Sequence, residues 1–126
     1  MKPRKKVKRM PIIKITVLKT DYDEALACEY GCPEAQRACH RFHEGEVIYC
    51  DKHYQPQDFC DGVWKAMEHH VYAIYHGETA PLGGRGWMKM PQTACITCNN
   101  GLSPVTFLVE GIEEDEEILK NIQQSW

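Results

Sequence analysis

No apolar run in this 126-residue chain approaches the roughly 18 residues that a membrane-spanning helix needs, so no membrane span is expected. The basic N-terminal stretch is not followed by the apolar segment of a secretory signal, which points to a cytoplasmic protein. Glycine (9) and proline (7) are ordinary in number and follow no period, which excludes collagen-like repeats. Catalytic signatures are equally scarce. There is no HExxH, and Ser103 is not set in a GxSxG context, so zinc-protease and hydrolase-nucleophile readings are unsupported. Gly83-Gly84-Arg85-Gly86 follows a helical pattern, not a strand, and leads to no GK[ST]. It therefore fails as a phosphate-binding loop and is expected to let Trp87 and Met88 approach the core. Paired CxxC motifs and the ferredoxin cysteine spacings are also absent, so neither a zinc ribbon nor a ferredoxin is indicated.

What is present is one domain's length of chain, with 43% apolar and 26% charged residues, enough to build a core without staples. The net charge of −3 conceals a split. Residues 1–20 hold eight Lys or Arg and no acid, while residues 21–126 hold seven against 18 acids, a net of −11. Residues 1–9 read as a basic, disordered tail outside the folded unit, and residues 10–126 as a single domain. A fold this acidic does not suit a phosphate backbone, so nucleic acid is an expected partner only through the tail. The second charged block, Glu113 to Glu117, precedes Ile118-Leu119 and reads as helix punctuation, because acids are favoured at a helix N-terminus.

The β-branched run at 12–18 predicts a strand with Ile13, Ile15 and Val17 on one face. Thr20 is expected to cap a short helix with Asp23 as capping-box partner, and Gly31 to end it. Val47 to Cys50 reads as a second strand. Phe59, Val63, Met67, Val71 and Ile74 recur at helical spacing and predict a long helix over about 57–76, with Asp58 as its cap. Trp64, Trp87, Tyr72 and Tyr75 are candidates to line a pocket, although aromatic residues at helical spacing are commonly core. Residues 94–98 read as extended, 104–110 as a strand and 114–124 as a helix. Asn99-Asn100-Gly101 marks a turn and favours antiparallel pairing. The fold class expected is α+β: a short, mostly antiparallel sheet with one long central helix and a C-terminal helix.

Seven cysteines carry the functional argument: Cys28, Cys32, Cys39, Cys50, Cys60, Cys95 and Cys98. An odd number and no visible secretory signal count against a disulfide framework. Cys50, ending an apolar strand, reads as core packing. The others point to metal or redox chemistry. Cys95-Ile96-Thr97-Cys98 is a CxxC, but the turn residues and Pro104 that follow prevent a helix from starting there, which favours chelation over thiol–disulfide exchange. Cys28 and Cys32 straddle a helix end, and Cys39-His40 follows. Cys60 opens the long helix between Asp58 and Asp61. A helix N-terminus suits an anionic sulfur, whereas the adjacent acids repel it and attract a cation, so Cys60 reads as a metal ligand in preference to a nucleophile. His40 and His43 lie in the same loop as Cys39 and fit a mixed zinc set. His69, His70 and His76 read as ordinary helix residues, either on the surface or satisfied within the core.

The strings Phe59-Cys60-Asp61-Gly62-Val63-Trp64, Gly86-Trp87-Met88-Lys89, Thr93-Ala94 and Cys98-Asn99-Asn100-Gly101-Leu102-Ser103-Pro104-Val105 resemble an uncharacterised family of small proteins from anaerobic bacteria and archaea. The likeness spans about residues 12–112. It implies a shared site made of Cys39, Cys60 and Cys98, and it leaves residues 1–9 outside the domain. This chain departs from the family pattern at His40 and Asn100 and adds Cys28, Cys32 and Cys95. The expectation is therefore a metal- or iron–sulfur-binding protein, redox-active or accessory to a redox enzyme. Its ligands would be Cys39, Cys60 and Cys98, with a fourth from Cys95, Cys32 or His40, and the centre either zinc or iron–sulfur. Two other readings stay open: a thiol redox protein using Cys95 and Cys98, and a metal-free binding module for a partner or small-molecule ligand, with structural cysteines.

Overall fold

The structure, a computed structural model, describes residues 10–81, 87–113 and 115–125. Its β-branched segments pair as strands. β1 spans Ile12–Thr20, β2 Val47–Asp51, β3 Thr93–Thr97 and β4 Val105–Ile112. They form one four-stranded sheet in the order β2-β1-β4-β3, with every neighbouring pair antiparallel. Because successive side chains in a strand alternate between faces, the register assembles apolar rows across one side. Ile15 lies opposite Ile48 and Val109, and Val109 opposite Ala94. In the next row Val17 faces Phe107, which faces Ile96.

One long helix covers that side. α2 spans Asp61–Tyr75 and buries Val63, Trp64, Met67, Val71 and Ile74, a spacing of three to four residues that keeps them on one stripe. Each such burial is worth about 1.5–3 kcal/mol, so the stripe holds α2 in place more than helix propensity does. The approach is close enough to require a glycine in β4. A Cβ built at Gly111 would lie 2.6 Å from Ile74 Cγ2 and 2.8 Å from Met10 Cβ. The α+β expectation is met: a small antiparallel sheet, a long helix and a C-terminal helix, α3, at Glu116–Ser125. Asp115 starts α3, its Oδ1 accepting from the amides of Glu117 and Ile118, as the acidic block implied.

Three details differ from expectation. β1 keeps pairing with β4 as far as Thr20 opposite Val105, so Thr20 cannot cap a helix. The short helix, α1, spans Glu24–Tyr30, and Asp23 is its N-cap, accepting from Leu26 N–H. Asp58 takes up a positive φ of 60°, and α2 begins only after Cys60, which is itself the N-cap. Trp87 is 76% exposed and Met88 half-buried, so Trp87 does not enter the core; the glycines at 83, 84 and 86 and the basic segment 1–9 lie outside the described residues. Among the described residues, no helix is long and apolar enough to cross a membrane.

Candidate functional site

The end of the sheet nearest the α2 N-terminus is closed by three chain segments, each bringing one cysteine. The first is the β3–β4 connection. Cys98 N–H donates to the Val105 carbonyl at 3.0 Å, and Val105 N–H donates back to Cys98 Sγ at 3.3 Å. Asn100 shapes the loop, its Oδ1 accepting from the amides of Leu102 and Ser103. The loop is pinned from outside, because Asp23 N–H donates to Leu102 O and Asp21 N–H to Pro104 O.

The second segment, residues 31–44, is irregular apart from a single 3-10 turn at Pro33–Ala35, and it carries Cys39. The hydroxyl of buried Ser103 donates to Arg37 O at 2.6 Å, tying this segment to the β3–β4 loop. Phe42 anchors it to the core, meeting Phe107 and Phe59 edge-on at 5.1 and 5.7 Å between ring centroids. The third segment is the lead into α2. Cys60 makes no side-chain capping bond, which leaves its sulfur free of the helix backbone. Gln55 steadies the approach by donating to Phe59 O and to Asp61 Oδ1.

These segments enclose a cavity of about 150 Å³. Cys39, Cys60 and Cys98 line it, with Phe42, Gly62, Val63, Val105, Asn99, Asn100 and Ser103. All three cysteines are free thiols and half-buried. Three sulfurs separated in sequence by 21 and 38 residues thus share one largely apolar chamber. They do not form a ready-made ion cage: among the described residues, no group of three or more His, Cys, Asp or Glu side chains is arranged to hold a metal ion.

The other candidate ligands lie elsewhere. Cys95 is exposed on β3, paired opposite Leu108. In extended chain, residues three apart face opposite ways, so Cys95 turns away from the side that Cys98 faces. Cys32 is exposed at the start of the 3-10 turn. Together with the backbone amide of Glu34, its thiol holds the Glu34 carboxyl below the usual range, the amide being the larger cause. His40 is exposed, and neither it nor Cys28, also exposed, lines the cavity. Cys50 is fully buried, and burial pushes its thiol up to about 12, as suits a packing residue.

Sequence reading missed Ser103 and Asn100 as supports of this chamber. Their signal was weak: a buried serine beside a proline, and an Asn two residues before an apolar position, both ordinary in loops. It also missed His53, which lines a second, wider groove with Tyr54, Gln55, Trp64, Glu68, His69 and Tyr72. Of the four aromatic residues expected to line a pocket, Trp64 and Tyr72 do so there. Compared with known proteins, the chain matches no protein-family model, no curated protein and no solved structure.

Proposed function

We propose that this chain is a small cytoplasmic metalloprotein in which Cys39, Cys60 and Cys98 hold an iron–sulfur cluster or zinc, serving as a redox carrier or as an accessory to a redox enzyme. The observation behind this reading is the meeting of three thiols from separate segments on one cavity. The donor chemistry fits. Soft thiolates select zinc and iron–sulfur centres, and an N–H bond to Cys98 Sγ is of the kind that tunes such sulfurs. Among the described residues the three side chains are not already gathered as an ion cage, so binding a centre would draw them together. The fourth position is left to an outside group, since the cavity offers no further Cys or His. When bound, an iron–sulfur cluster would supply one-electron exchange. The protein's own residues orient the sulfurs, and the Phe42, Val63 and Val105 walls limit water.

Protein purified without oxygen should then carry about one centre per chain. Broad visible absorption with stoichiometric sulfide would identify iron–sulfur, and colourless protein containing zinc would identify zinc. Folded, stable protein with neither would overturn the proposal. A second reading, a metal-free binding module, draws on the separate groove that Trp64 and Tyr72 help to line, and that last outcome would favour it.

A further inference from the structure

A groove of about 400 Å³ runs between residues 53–55 and α2, within the size range of small-molecule sites. None of its lining residues lines the thiol cavity. Trp64, Glu68 and Tyr72 recur every four residues, so α2 presents them as one stripe. Trp64 is nearly buried and forms the floor, whereas Tyr54 and Tyr72 are 53% and 54% exposed and form rims. The opposite wall is His53, whose ring lies 4.5 Å from Tyr54, 5.1 Å edge-on from Tyr72 and 5.0 Å from Tyr75 behind it.

The chemistry of this lining is one-sided. Glu68 is its one charged carboxylate, and no Lys or Arg lines it. Residues 10–126 carry nine Lys or Arg against 18 acids, a net charge of −9, which draws cations toward the fold. Aromatic rings dominate the lining: Trp64, Tyr54 and Tyr72, with the His53 and His69 imidazoles beside them. Electron-rich ring faces with a nearby carboxylate are the recognition chemistry of quaternary ammonium groups. We infer that this groove binds a small quaternary ammonium compound, held by Trp64, Tyr54 and Tyr72 and balanced by Glu68.

The test titrates the full-length protein with choline and, separately, with 3,3-dimethylbutan-1-ol, its neutral isostere, following tryptophan side-chain NMR shifts. Saturable choline binding is expected, with the isostere about two- to fivefold weaker or more, two- to fivefold being the ratio that one exposed cation–π contact provides. Glu68→Gln and Tyr72→Leu, both at exposed positions, should each weaken choline about two- to fivefold. Tyr30→Leu, at a distant site that is 73% exposed, should leave it unchanged. Absence of saturable choline binding would overturn the inference. So would equal binding of the isostere, which would reveal a merely apolar groove, or indifference to both groove variants.

Discussion

Cys50 offers a test of the core that is independent of any ligand. Its side chain is fully buried on β2, opposite Ile13 of β1, and burial raises its thiol from about 9 to about 12. A group whose folded value is raised contributes stability that is intact below the unfolded value. That contribution is lost as the pH climbs toward the folded value, because the unfolded chain releases a proton that the native state keeps. Between pH 9 and pH 12 the loss accrues at about 1.4 kcal/mol per pH unit, on the order of 4 kcal/mol in all. That is a large share of the roughly 5–15 kcal/mol that holds a typical domain together. Cys50→Ala removes the effect while leaving every Tyr and Lys in place, so their titration cancels in the comparison. At neutral pH the alanine variant should be the less stable by about 1–2 kcal/mol, within the usual range for one buried side chain. As the thiol of the unfolded wild type ionises, the gap should close, and the two curves should cross about one pH unit above 9. Urea unfolding followed by tryptophan fluorescence, with reductant present, measures both curves. A gap that stays constant from neutral to alkaline pH would refute the reasoning, since it would mean that Cys50 ionises as easily in the native state as in the unfolded one.

Two further outcomes follow from contacts already described. Gly111→Ala should lower the thermal midpoint by about 5–10 °C, from an overpacking cost of about 1–3 kcal/mol against Ile74 and Met10; calorimetry showing no change would mean that α2 is not seated as closely on β4. Ser103→Ala should cost about 1–2 kcal/mol by stripping the Arg37 carbonyl of its buried donor and should speed native-state alkylation of Cys39 while leaving Cys50 protected. Unchanged Cys39 reactivity, read by mass spectrometry, would show that the Ser103 bond does not hold that segment down.

The sheet and long helix were legible because their signals are periodic. Ile13, Ile15 and Val17 alternate, and Val63, Met67, Val71 and Ile74 return every three to four residues; tertiary packing then reinforces both patterns. Helix starts were read less well, since several Asp, Ser and Thr residues near a boundary can each supply a capping oxygen. Asp23 displaced Thr20 because β4 holds Thr20 in the ladder, and α2 began late because Asp58 adopts a turn conformation. Trp87 was misplaced on size alone: a large aromatic side chain in a loop has no periodicity to show which way it faces. For the candidate site, no local spacing links Cys39, Cys60 and Cys98. Their meeting depends on how the 31–44 segment, α2 and the β3–β4 loop converge, and only the family resemblance pointed to the trio beforehand. The separation of Cys95 from Cys98 was readable, because an extended 94–98 segment already places residues three apart on opposite sides. The CxxC pattern drew attention away from that parity.

The central claim is that the three thiols of one cavity act together while the exposed cysteines do not. It is tested most directly by iron, zinc and sulfide content per chain in single Cys→Ser variants, all prepared without oxygen. Cys39→Ser, Cys60→Ser and Cys98→Ser should each lose the centre and unfold more readily, because binding free energy at such a site is also folding free energy. Cys95→Ser and Cys32→Ser should retain it in full. Full occupancy in Cys60→Ser, or loss of the centre in Cys95→Ser, would contradict the account.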